Sequence, residues 1–224
     1  LVADYNQIEL RCIAHLSGDL SLIAAFEAGD DIPRSVASRT WGVPIEEVTT
    51  ELRNRAKMVA YGLAYGMEAY GLAQRLDVPT DEASGILEAY FEAFPGVRDY
   101  MDRSVDEARQ RGYTETLFGR RRRIPELGSN NFNVRQAGER QAMNAPIQGL
   151  AADIFKVALV GIGNGLSASG LVSRLVLQVH DEVLLEVEPT ELEQVTELVR
   201  VTMGGAFDLR VELAVDLATG PTWA

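Results

Sequence analysis

The chain has 224 residues, 46% of them hydrophobic and 24% charged, with a mean hydropathy of −0.04. That composition supports one large or two small domains with a buried core and excludes an intrinsically disordered chain. Acids outnumber bases 33 to 21, a net charge of −12, which argues against binding a phosphate backbone by bulk charge alone.

The opening Leu1-Val2-Ala3-Asp4 has neither an initiator Met nor a basic n-region, so it reads as part of a longer protein and not as a signal peptide. Residues 1–5 read as the end of a strand. Ile8, Leu10, Ile13 and Leu16 then fit a helix from Gln7 to Leu16. The single cysteine, Cys12, leaves no internal disulfide and points to a reducing, cytoplasmic setting. Asp19 or Ser21 caps a second helix ending near Gly29, and residues 31–41 form a third with Pro33 in its first turn. A longer helix opens at Thr49 or Thr50 and runs to about Gly66. Others run from Pro79 to Tyr90 and from Pro95-Gly96 to about Gly112. Residues 113–124 alternate and turn at Gly119, a hairpin with a basic arm. From Asn133 to Leu166 the pattern is helical, with a break expected near Asn144-Ala145-Pro146. Val172 to Val187 reads as two strands meeting at His180-Asp181-Glu182. An amphipathic helix over 190–203 and a strand over 210–217 complete the chain. No unbroken apolar run approaches the ~18–20 residues of a bilayer span. Strands at both ends around a helical insert make an α+β layout.

Charge is unevenly placed. From Arg109 to Arg140 eight arginines face three glutamates, a local excess of +5, and only two of the 21 bases are lysines, Lys57 and Lys156. Four segments stand out. Asp4 closes a strand, where a carboxylate either reaches outward or caps a helix. Arg53, Lys57, Tyr61 and Tyr65 recur every fourth residue and so project from one helical side, drifting ~40° per step. The cations suit a polyphosphate and the rings a sugar or base, although core tyrosines behind a solvated basic turn fit the spacing too. Asp181 and Glu182 adjoin at a strand turn, which is costly unless a cation or solvent compensates; a hydrated hairpin tip is the plainer alternative. Arg140, Asn144 and Gln148 share a second helical side, where amides can donate to minor-groove acceptors.

Taken in order, Asp4-Tyr5-x-Gln7-Ile8-Glu9-Leu10-Arg11, Arg53-x3-Lys57-x3-Tyr61-Gly62-x2-Tyr65-Gly66, Asn144-Ala145-Pro146-x-Gln148-Gly149 and Val179-His180-Asp181-Glu182 closely resemble the polymerase domain of the DNA polymerase I family, family A. The resemblance covers essentially the whole chain. It implies a palm with an antiparallel sheet, residues 1–27 and 129–224, an inserted helical fingers subdomain, residues 28–128, and no thumb within this sequence. It implies template-directed DNA synthesis with two Mg²⁺ ions held by Asp4, Asp181 and the Tyr5 carbonyl. Lys57 and Arg53 then bind the triphosphate, and Lys57 also acts as acid toward pyrophosphate. Gln7, Glu9, Tyr61 and Tyr65 contact the nucleotide: Tyr61 faces the sugar, Tyr65 lies near the templating base, and Glu9 crowds the 2′ position. Arg140, Asn144 and Gln148 follow the duplex, His180 meets the primer terminus, and Glu182 is a supporting carboxylate. The implied partners are primer-template DNA and deoxynucleoside triphosphates, with no membrane and a monomeric protein.

The chain departs from the family pattern at four places. Pro33 stands where a phosphate-contacting His is usual, Asn6 replaces Ser, Ala60 sits where Asn is common, and Tyr61 stands where many members have Phe. Loss of one phosphate contact at Pro33 leaves a second reading open, a DNA-binding module of weakened catalysis.

Overall fold

The computed structural model describes residues 1–223. The chain folds as two compact units, one of Leu1–Arg11 with the segment from Ala151 to the C-terminal end, the other of Cys12–Leu150.

The first unit is built on a four-stranded antiparallel sheet. Its strands are β1 (Val2–Tyr5), β4 (Arg174–Val179), β5 (Glu182–Glu186) and β6 (Val215–Ala218), in the order β4-β5-β1-β6. Alternation decides its faces: Ala3, Tyr5, Val183 and Leu185 are buried, while Asp4 and Glu182 turn the other way. The inner face meets two helices. The Tyr5 ring packs edge-on to Phe155, centroids 6.1 Å apart, and its hydroxyl donates to the Met203 carbonyl at 2.8 Å. Phe155 lies on α8 (Phe132–Ala168) and Met203 on α9 (Leu192–Gly204). The α+β architecture read from the sequence therefore holds, with the final strand shorter than expected. Residues 211–214 alternate but find no strand to pair with, because the chain leaves β1 at Asn6. The Asn6 amide instead donates to Ala214, and the Arg11 guanidinium binds the Glu212 carbonyl.

The second unit is mainly helical: α1 (Ile8–Ser17) enters it, followed by α2 (Leu20–Glu27), α3 (Ile32–Trp41), α4 (Thr50–Ala64), α5 (Ala69–Leu76), α6 (Thr80–Ala93) and α7 (Pro95–Arg111). Asp19 caps α2 as expected, accepting from the Leu22 amide, and Thr49 accepts from Leu52 at the expected start of α4; the structure adds Asp31, which caps α3 by accepting from the Arg34 amide. Pro33 sits in the first turn of α3. Asp19 has a second task, since its other carboxylate oxygen accepts from the Gly96 amide at 2.9 Å and ties the start of α7 to the start of α2. The sequence reading omitted α5, whose eight residues offer little periodicity. The hairpin is present as β2 (Tyr113–Glu115) and β3 (Arg121–Arg123).

The expected break in α8 does not occur: the helix runs unbroken from Phe132 to Ala168 through Pro146. A proline inside a helix costs about 3 kcal/mol in a lost hydrogen bond and a clash with the preceding turn. Burial of Ala142, Ile147 and Leu150 on either side of Pro146 holds the helix together against that cost. By length and composition α8 is also the one helix among the described residues that matches a membrane span, yet half of its most apolar window is buried within the protein.

Candidate active site

In the sheet unit the strand register gathers carboxylates. Asp4 lies opposite Glu182 on β5 and opposite Asp216 on β6. Directly paired residues of antiparallel strands project to one face, so the three form a row across β5-β1-β6. A two-residue turn, His180-Asp181, joins β4 to β5. His180 takes a φ of 53°, and the Gln178 side chain donates to its carbonyl at 2.6 Å. This bend sets Asp181 at the turn immediately before the row.

These groups differ in how they are held. Glu182 accepts from the Trp223 indole at 2.9 Å, and Asp216 from the Asn6 amide at 2.8 Å. Asp4 Oδ1 is buried without a hydrogen-bond partner. Burial first, then the charges of Asp181, Glu182 and Asp216, push the Asp4 carboxyl up to about 6, against a smaller lowering by the Tyr5 backbone. An oxygen so placed, among like charges, suits a hard cation. Among the described residues no three His, Cys, Asp or Glu side chains form a ready cage. Mg²⁺ needs no such cage, since it takes one or two carboxylates and leaves its other positions to substrate oxygens and water. The Tyr5 side chain is committed to the core, so any ligand role there belongs to its carbonyl. Gln7, at the strand-to-helix junction, has a φ of 58° and a buried Oε1 with no partner. Such backbone strain in a non-glycine residue is sustained only by its surroundings and clusters at functional sites. Glu9 follows, half-buried, in the first turn of α1.

In the helical unit α4 buries Ala56, Val59, Ala60 and Leu63, which turns the Arg53–Tyr65 side outward. Lys57 is exposed, with Nζ 5.8 Å from the centroid of the half-buried Tyr61 ring. Tyr65 is 55% exposed, so it is not a core tyrosine. Arg53 is engaged by the Asp31 carboxylate, its Nη2 at 2.7 Å and its Nε at 2.8 Å. Despite some desolvation, Arg53 holds the Asp31 carboxyl below the usual carboxylate range. The α4 axis ends at Tyr65, and Gly66 follows with a φ of 69°. A Cβ there would come within 2.5 Å of the Asn144 amide, so the position needs glycine for both conformation and space. Asn144, whose Oδ1 is buried without a partner, is half-buried like Arg140 and Gln148 at four-residue spacing on α8. Arg140 pairs with Glu68 at 3.0 Å.

The structure thus brings Asp4 together with Asp181 and Glu182, Lys57 with Tyr61, and Asn144 with Gly66. His180, exposed at its turn, packs beside none of the others among the described side-chain hydrogen bonds. Sequence reading missed Asp216 and Asp31. Asp216 occupies an outward position of the predicted last strand, but only strand order reveals that it neighbours Asp4. Asp31 was legible as a helix start, not as the partner of Arg53, which lies 22 residues on.

The model of DNA polymerase family A matches residues 1–224. The chain is 55% identical over 223 residues to DNA polymerase I of Mycobacterium bovis and 48% identical over 224 residues to that of Lactococcus lactis subsp. lactis. Each alignment covers 100% of this chain but only 25% and 26% of the relative, so the chain spans about a quarter of the length of the curated relatives it matches. Among solved structures, the POL domain of Pol1 from M. smegmatis, in complex with DNA primer-template and dNTP, is similar with a TM-score of 0.92 and 55% identity. That match covers 96% of this chain and 38% of the other.

Proposed function

Because the chain belongs to DNA polymerase family A, we propose that it carries template-directed DNA synthesis, adding a deoxynucleotide to a primer 3′-hydroxyl with release of pyrophosphate. The observation that carries this reading is the buried, unpartnered Asp4 Oδ1 in a group of carboxylates that includes Asp181. Asp4, Asp181 and the Tyr5 carbonyl would hold two Mg²⁺ ions, which supply charge stabilisation at the phosphates and a lowered hydroxyl pKa.

The protein's own residues perform the rest. The primer oxygen forms its bond to the α-phosphorus as the bond from that phosphorus to the bridging oxygen of pyrophosphate breaks. The primer hydroxyl gives its proton to solvent water, and Lys57 gives one to the departing pyrophosphate. Arg53 grips the triphosphate; its exposed ion pair with Asp31 has a worth of about 0–1 kcal/mol, so exchanging that carboxylate for phosphate is cheap. Tyr61 lies against the sugar, Tyr65 beside the templating base, and Gln7 and Glu9 contact the nucleotide, Glu9 closing the space at the 2′ carbon. Arg140, Asn144 and Gln148 follow the duplex, His180 the primer terminus, and Glu182 supports the metal-binding pair. In functional terms residues 1–27 and 129–224 act as palm and 28–128 as fingers, in a monomeric cytoplasmic enzyme.

One observation favours a second reading, a DNA-binding module of weak catalysis. Pro33 is buried in α3 and offers no imidazole to a phosphate. Primer extension by the full-length protein decides between them: template-directed extension with Mg²⁺ supports synthesis, and tight primer-template binding without extension supports the module.

A further inference from the structure

The carboxylate row is flanked by two donors that carry no charge. Asp4 lies directly opposite Glu182 on one side and Asp216 on the other, and directly opposed residues have Cβ atoms about 4.5–5.5 Å apart. Three carboxylates at that spacing have the reach to close around one cation. A site so rich in carboxylate oxygens suits Ca²⁺, which takes about six to eight oxygens. It suits Mg²⁺ poorly, because Mg²⁺ keeps several positions for water and phosphate. Yet among the described residues no three such side chains form a cage.

The hydrogen bonds account for this. Glu182 Oε1 accepts from the Trp223 indole Nε1 at 2.9 Å, and Asp216 Oδ2 accepts from the Asn6 side-chain amide at 2.8 Å. Each outer carboxylate thus has an oxygen engaged, whereas Asp4 Oδ1, between them, has no partner. Asn6 is itself anchored. Its backbone amide donates to the Ala214 carbonyl at 3.0 Å, and its carbonyl accepts from the buried Arg11 guanidinium at 2.6 Å, which also binds the Glu212 carbonyl. Trp223 follows the last strand, β6, and lines one cavity with Val2 of β1 and Leu184 of β5, so the chain after β6 turns back to bring the indole to β5. Neutral donors occupy a lone pair and fix a carboxylate's direction without cancelling its charge. Glu182 and Asp216 therefore attract a cation through space without surrounding it. We propose that Asn6 and Trp223 are positioning residues: by holding Asp216 and Glu182 away from the central carboxylate, they keep the coordination sphere at Asp4 open and set its preference for Mg²⁺ over Ca²⁺. The inference rests on the reading of Asp4 and Asp181 as the metal-holding pair.

The test is isothermal titration of the full-length protein, free of DNA and nucleotide, with MgCl₂ and separately with CaCl₂. Asp4→Ala gives the heat owed to other sites, and the difference is the Asp4-dependent binding. Trp223→Phe loses the indole N–H and Asn6→Ala loses the amide. Each tightens Asp4-dependent Ca²⁺ binding and lowers the ratio of the Ca²⁺ Kd to the Mg²⁺ Kd about tenfold, the effect of one recruited carboxylate. The double variant lowers it further. Tighter Ca²⁺ binding is a gain, which misfolding does not imitate. A ratio unchanged in both single variants overturns the proposal and leaves the metal-holding pair standing. Wild-type protein without Asp4-dependent Mg²⁺ binding overturns that pair, and the proposal with it. The expected shift in a protein that fails to extend a primer overturns DNA synthesis alone and leaves the positioning role in place.

Discussion

At Asp4 two demands conflict, since burial and three neighbouring carboxylates disfavour a charge that a cation would need. The conflict has a measurable sign. Its carboxyl, pushed up to about 6, lies above the ordinary value of 3.8, so the associated stability is present below the lower value and lost as pH rises through the upper one. In EDTA, Asp4→Asn should therefore raise the melting temperature at pH 8, and the gain should vanish toward pH 4. An equal gain at both pH values would mean that Asp4 is not the strained group. In primer extension, Asp4→Ala and Asp181→Ala should each lower nucleotide addition by several orders of magnitude while primer-template binding persists. Sugar selection is a second matter of single residues. With Glu9 in its proposed place at the 2′ carbon, Glu9→Ala should raise ribonucleotide use. With Tyr61 in its proposed place against the sugar, Tyr61→Phe should lower dideoxynucleotide use. At ~1–3 kcal/mol for an unmet polar group, each change is about tenfold or more, and competition between matched rNTP, dNTP and ddNTP measures both.

Among the elements, α4 presents Arg53, Lys57, Tyr61 and Tyr65 on one side because its other side is filled by small apolar residues. Lys57→Ala should slow incorporation more than it weakens DNA affinity, and Arg53→Ala should mainly raise the nucleotide KM. Normal turnover with lost DNA binding in both would contradict a nucleotide-facing helix. The end of the helix is as constrained as its face. Gly66→Ala forces a side chain into left-handed backbone and against Asn144, which should destabilise the protein by about 1–3 kcal/mol, read as a lowered denaturation midpoint. In α8 the spacing of Arg140, Asn144 and Gln148 survives only because the helix continues through Pro146.

Over the whole molecule the charge is −12, yet the stretch from Arg109 to Arg140 carries a local excess of +5, and distribution outweighs the sum. The acidic excess carries a further consequence. A divalent ion that binds the folded protein and not the unfolded chain stabilises it by about 2.7 kcal/mol at a hundredfold excess over Kd. Mg²⁺ should raise the melting temperature of the wild type, and Asp4→Ala should remove most of that shift; an unchanged wild type would speak against the carboxylate site.

The sequence alone determined the outline. The cap at Asp19, the helix start at Thr49, the glycine turn of the hairpin and the period-two run before His180 are local signals, decided by each residue's own hydrogen bonding and backbone freedom. The motif order was equally legible, since Asp4, Lys57 and Asp181 stand at spacings that a single family carries. Other features needed the tertiary structure. The row of Glu182, Asp4 and Asp216 depends on strand order, which joins residues about 180 to 210 positions apart and leaves no trace in any local window. The continuity of α8 depends on burial around Pro146, which outweighs a local preference to break. The pairing of Arg53 with Asp31 depends on α3 and α4 packing together. Local chemistry names the candidate groups, and long-range burial and register decide which of them meet.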